Sequence, residues 1–257
     1  MSRAVLWAVS GLVIVFLLAP VLIIIPMSFG SALSLEFPPR SVSLQWYRHF
    51  FSSGPWLDAA RVSLVVAAGA AAVSAVLGTL ASFGLVRGRF PGRDLIYLLI
   101  LSPLVIPGVV VAIGMYLFLG RLGLVGSISG LIIAHTAIAL PLVVVNMTAA
   151  LQGFDRSIER AAMSAGANRL RTFWHVTLPV IRPGFTAGVL FAFMASFDEV
   201  IIAIFLSGRN ATTLPKRMWD SVLLETDPTI SAVSSLLVGA TILTVVLGVL
   251  LTGRRRA

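Results

Sequence analysis

No cysteine occurs anywhere in the 257 residues, which excludes disulfides, thiolate metal sites and cysteine nucleophiles. Charge is nearly as scarce. Asp, Glu, Lys and Arg make up 11% of the chain, against about a quarter in ordinary soluble domains. Acid is the rarer sign, with 10 Asp and Glu against 19 Lys and Arg. No GxxxxGK phosphate loop is present, so the chain does not bind ATP by that device. His49, His135 and His175 are far apart, and no His-Glu-x-x-His or comparable metal cluster exists. No serine in an apolar run has a His or Lys base at a recognisable spacing, so the chain reads as non-catalytic.

What fills the chain instead is apolar. Hydrophobic residues are 58% of it and the mean hydropathy is +1.01. A soluble domain cannot hide that much apolar side chain and still present a polar surface, so the solvent is largely lipid. The net charge of +9 raises nucleic-acid binding, but the basic residues fall in short runs between apolar segments rather than along one face. In a membrane protein such runs set orientation, and no nucleic-acid partner is expected.

A helix needs about 20 apolar residues to cross the hydrocarbon core. Six stretches qualify: residues 4–27, 62–86, 95–119, 131–151, 185–206 and 230–251. They are continuous and too long for barrel strands of about ten residues. The expected fold class is therefore all-α integral membrane, with six transmembrane helices forming a single domain over residues 1–257. The first run exceeds the signal-peptide core of about 7–15 residues and reads as a retained span.

With the N-terminus inside, 12 Lys and Arg fall on inner segments and 7 on outer ones, which favours both termini in the cytoplasm. The Arg87-Gly-Arg-Phe-Pro-Gly-Arg93 turn and the Arg254, Arg255 and Arg256 tail carry much of that bias. The outer segment 28–61 holds Trp46, Tyr47, Phe50 and Trp56, suited to a membrane interface.

The inner segment 152–184 is longer than a connection requires. Asp155 is placed to cap a short helix containing Ser157 and Glu159. Ala161, Ala162 and Ala165 form helix without bulk, and Gly166 suits its left-handed end. Leu170, Phe173, Trp174 and Leu178 then give an apolar face, and Pro179 is expected to stop the element.

That pattern resembles the EAA loop of permeases of binding-protein-dependent ABC importers. Ala161 and Ala162 match its alanines, Gly166 its glycine, and Val176, Leu178 and Pro179 its end. Arg160 stands where the family has its glutamate, and Glu159 precedes it. The Leu101-Ser-Pro-Leu-Val-Ile-Pro107, Ser196-Phe-Asp-Glu-Val200 and Thr213-Leu-Pro-Lys-Arg-Met-Trp219 runs are similar to permeases of the polyamine (spermidine and putrescine) importer group. The resemblance implies a type I importer permease fold in the bacterial inner membrane. It implies as partners a related but distinct second permease (a heterodimer), a cytoplasmic ATPase dimer and an extracytoplasmic substrate-binding protein. ATP and Mg would be bound by the ATPase, with no cofactor in this chain. It also implies that Asp155, Glu159, Arg160, Ala161, Ala162, Gly166, Leu178 and Pro179 couple the chain to that ATPase. The bland reading of the loop is an interfacial amphipathic helix without a partner.

Asp198 and Glu199 fall within the fifth apolar stretch, where acids cost about 2.5–3.5 kcal/mol. Two readings stand. At least one lines the translocation path and meets a cationic substrate, or the pair caps a helix break or meets an arginine of a neighbouring subunit. Trp219 and Asp220, on the outer loop before the sixth stretch, are either a gate or binding-protein contact or an interface aromatic and a solvated acid. A secondary transporter driven by an ion gradient is the rival class. It commonly shows inverted repeats with matching interrupted spans, and none is visible.

Overall fold

The computed structural model describes residues 3–225 and 227–253. The helices are α1 (Arg3–Met27), α2 (Gln45–Ser52), α3 (Gly54–Arg87), α4 (Arg93–Leu101), α5 (Gly108–Arg121) and α6 (Ile128–Gln152). They continue with α7 (Arg156–Ser164), α8 (Arg169–Thr172), α9 (Leu178–Phe197), α10 (Ile201–Leu206), α11 (Leu214–Asp220) and α12 (Thr229–Gly253). Among the described residues the only β pairing is two isolated bridges, Gly30 with Val42 and Gly208 with Ala211. Arg254, Arg255 and Arg256, part of the orientation argument, lie outside the described residues.

Among the described residues, four uninterrupted helical stretches are long and apolar enough to cross a bilayer: Val5–Met27, Gly54–Arg87, Ile128–Gln152 and Arg169–Phe197. Side chains of α1 are exposed from Val5 to Leu18. A helix apolar all round with so little protein cover wants lipid around it.

The expected third span, 95–119, is not one helix. It breaks into α4, a 3₁₀ turn at Ser102–Leu104 and α5, with a bend of 103°. Pro103 lacks a donor N–H, and Pro107 forces Ile106 away from the helical region. At 9 and 14 residues, the pieces are about 14 and 21 Å long, each short of the bilayer. The expected fifth span, 185–206, differs twice. Its helix starts earlier, because Pro179 does not stop it: the π turn Phe173–Thr177 joins α8 to α9. A widened turn absorbs the hydrogen bond that proline cannot make. It also ends earlier, at Phe197, with α10 starting anew at Ile201. Acids are unfavourable at the negative end of α9 and favourable at the positive end of α10, so Asp198 and Glu199 sit at the junction between them.

The chain divides into two compact units, Met1–Leu57 with Met218–Ala257, and Asp58–Arg217. In the first, Trp56 is fully buried and donates from Nε1 to Asp227 Oδ2 at 3.2 Å. Asp227 Oδ1 also accepts from Thr229 N at 2.9 Å, capping α12. Trp56 and Phe50 are thus interior side chains, not the interface aromatics that composition suggested.

The second unit is built on small residues. Gly184 and Gly188 of α9 lie one turn apart against α6. A Cβ on Gly184 would stand 2.5 Å from Ala150 Cβ, and one on Gly188 3.1 Å from Val143 Cα. Such small-x-x-x-small faces let backbones approach where lipid supplies no hydrophobic drive. His135 ties the same pair, its Nδ1 lying 2.9 Å from Ser196 Oγ. Ser82 Oγ of α3 donates to Gly78 O at 2.7 Å and Val144 O at 3.3 Å, joining α3 to α6.

Gly188→Leu is expected to force α6 and α9 apart and lower stability by about 1–3 kcal/mol, read as a fall in melting temperature of the detergent-solubilised chain. Gly84→Ala, where an added Cβ meets nothing within 4 Å, is the matched change expected to be neutral or stabilising. Equal melting temperatures for Gly188→Leu and the unaltered chain would contradict the close-packing account.

Candidate functional site

The segment after α6 folds locally for reasons already present in its sequence. Asp155 Oδ1 accepts from Ser157 N at 2.8 Å and Oδ2 from Ser157 Oγ at 2.6 Å, which starts α7. The serine hydroxyl first, then the serine N–H, hold the Asp155 carboxyl below the usual carboxylate range. A folded value below the unfolded one makes this stabilisation complete at neutral pH and lost as pH falls through the depressed value.

Gly166 ends α7 with φ +94°. Gly166 N donates to Met163 O at 3.0 Å and Ala167 N to Ala162 O at 3.1 Å, the paired bonds of a Schellman motif. Asn168 then restarts the chain as α8, its Oδ1 accepting from Arg171 N at 2.8 Å. The result is a bent helical knob that exposes Arg160, Ala161 and Gly166, with Ala162 and Leu178 half-buried and Pro179 exposed.

Glu159 turns the other way. It is buried, and its Oε1 accepts from Arg87 Nη2 at 2.6 Å and from the Thr177 hydroxyl. Arg87 also lies over the Phe83 ring, 4.6 Å from its centroid, and Phe83 meets Phe173 edge-on at 5.7 Å. A cavity of about 260 Å³ beside the junction is lined by Arg87, Glu159, Met163, Arg169 and Phe173, among others. The acid is 12% and the arginine 29% exposed. That places the pair between surface bridges of about 0–1 kcal/mol and buried ones, whose breaking costs about 3–5 kcal/mol. The junction joins three segments: the end of α3, the knob, and the π turn leading into α9. Sequence reasoning missed it. Arg87 read only as an orientation charge, Thr177 carried no motif, and 72 positions separate Arg87 from Glu159.

The two acids at the α9–α10 junction do different things. Glu199 is half-buried and its Oε1 accepts from Ile202 N at 2.9 Å, capping α10. Asp198 is exposed, and its carboxylate makes no hydrogen bond or ion pair among the described residues. Phe193 and Phe197 stack beside this break with centroids 5.9 Å apart. Trp219 and Asp220 lie at the end of α11, in the other compact unit from Asp198 and Glu199. Trp219 is 46% exposed. Among the described residues no group of three or more His, Asp or Glu is placed to hold a metal ion.

Comparison with known proteins places the chain among permeases. Over 232 residues the chain is 38% identical to the putrescine transport system permease protein PotI of Escherichia coli (strain K12), covering 88% of this chain and 82% of that one. It is 27% identical over 238 residues to the spermidine/putrescine transport system permease protein PotC of Haemophilus influenzae, covering 92% of each. A probable molybdenum ABC transporter permease of Haloferax volcanii is 34% identical over 175 residues, 65% of each chain. Among solved structures, a bacterial ABC transporter involved in import of the acidic polysaccharide alginate superposes with a TM-score of 0.71 at 16% identity, covering 98% of both chains. The fold is that of a type I ABC importer permease. Residues 74–256 match the family described as the binding-protein-dependent transport system inner membrane component, and to that family of multi-pass permease subunits the chain belongs.

Proposed function

We propose that this permease carries a polyamine such as putrescine or spermidine inward, forming half of a translocation path whose other half is a related but distinct second permease. The bent knob α7–α8 faces the cytoplasm, as do both termini, and docks on an ATPase dimer that holds ATP and Mg. An extracytoplasmic binding protein delivers the substrate. ATP binding closes the ATPase dimer and draws the knobs of the two permeases together. The pair then turns from inward-facing to outward-facing, and hydrolysis resets it.

The 38% identity to a putrescine permease across 88% of this chain carries the substrate reading. Asp198 adds a chemical reason. A carboxylate without a protein partner at a helix break, beside two stacked phenyl rings, offers charge-assisted hydrogen bonds and an aromatic face to an ammonium group. Glu199 contributes by holding α10 in place. The pathway role extends to Trp219 and Asp220 as side chains of the outer gate.

Radiolabelled putrescine and spermidine uptake by the assembled importer tests this. Asp198→Asn is expected to lower uptake roughly tenfold or more, the loss of a hydrogen bond to a charged group, and Glu199→Gln to lower it less. A permease for a different small solute, as the molybdenum relative represents, predicts no polyamine uptake at all. Unaltered rates in both variants would remove the acids from the path. Docking is tested separately: Gly166→Pro is expected to abolish retention of the ATPase in pull-down, since φ +94° is closed to proline. Retention by that variant would overturn the coupling role of the knob.

A further inference from the structure

The knob's exposed face carries a surplus of positive charge that its own segment offsets only in part. Residues 152–184 hold five arginines and two acids, Asp155 and Glu159. Both acids are already engaged. Asp155 has one oxygen on Ser157 N and the other on Ser157 Oγ, although it still feels the charge of Arg160. Glu159 is turned inward onto Arg87 and Thr177. Arg160, Arg169 and Arg171 are exposed, and among the described residues none of the three forms an ion pair. Apolar surface lies among them: Ile158 is 45%, Met163 42% and Leu170 67% exposed.

A partner that covers this apolar surface must also desolvate the guanidinium groups between its patches. An arginine buried without a counter-charge is costly, whereas one met by a bidentate carboxylate is not. A second copy of this chain would bring the same sign and be repelled. The tip of the knob is also slender, with Ala161, Ala165 and Gly166 exposed, a shape for entering a groove rather than for lying along a bilayer.

We infer that the ATPase surface receiving this permease is an apolar groove rimmed by carboxylates, with Arg160 as the residue that selects it. This rests on the docking role proposed above and adds the sign of the charge to it. The arrangement follows from a division of labour between neighbours: the acid at 159 is spent internally, and the base at 160 faces outward. An ATPase whose groove carries basic side chains at that place would be refused, because like charges facing each other across an interface repel.

The test is affinity of the purified ATPase for the permease assembly in nanodiscs, measured at rising NaCl. Arg160→Lys, which keeps the charge but not the bidentate fork, is expected to bind at a level between the unaltered chain and Arg160→Glu, and Arg160→Glu about tenfold more weakly than the unaltered chain with a shallower salt dependence. Arg121→Glu, the same charge change at the end of α5, is expected to bind unchanged. Melting temperatures matching the unaltered assembly establish that the exposed substitutions leave the fold intact. Unaltered affinity and salt slope in Arg160→Glu would overturn the inference while leaving docking in place. Affinity that follows the anionic-lipid content of the nanodisc and ignores residue 160 would mark the face as a lipid surface, and overturn it as well. Absence of ATPase binding by the unaltered assembly would defeat the docking role itself.

Discussion

Hydrocarbon offers no hydrogen bonds, so every interruption of a helix within it must be satisfied by the chain itself. This constraint governs the architecture. Where the chain stays helical from Ile128 to Gln152, the backbone satisfies itself. Where it breaks after Phe197, the Glu199 carboxylate takes up the Ile202 N–H. Near Pro179 a π turn widens the helix and lets it continue. These two irregularities each come with a local device that accommodates them.

The same economy shapes the knob. Its outline is local: a carboxylate cap at Asp155, a left-handed glycine at 166, an amide cap at Asn168. Its attachment is not. Glu159 is fastened to Arg87 and Thr177, so the knob is held by two other segments of its unit at one carboxylate oxygen. Burial of that acid turns residue 159 inward and leaves residue 160 exposed. The glutamate of the importer loop has no outward counterpart here, and an arginine occupies the exposed position instead.

How much of this was visible in the sequence depends on range. Spans that are apolar for 20 residues or more, such as 4–27 and 131–151, declare themselves because bilayer thickness sets their length. The caps and the glycine bend were legible because a helix terminus is specified by residues within one turn of it. A capped helix break at Asp198 and Glu199 was one of the two readings the sequence offered, and Glu199 does cap α10; hydropathy averaged over a window could not choose between them, because it ignores the helix dipole. The 103° bend was legible only as two prolines, Pro103 and Pro107, whose effect on direction no local rule fixes. Trp56 looked like an interface aromatic because its partner Asp227 is 171 positions away. The Arg87–Glu159 junction was invisible for the same reason.

The unbroken run from Arg169 to Phe197 has a mechanical meaning. Its 29 residues make a rod of about 43 Å that begins in the α7–α8 knob and ends beside the Asp198 carboxylate. Because the helix continues through the π turn into α9, a movement of its knob end would be carried along the rod to the far end. On the docking proposed above, an engine outside the membrane would have leverage over the position of the Asp198 carboxylate.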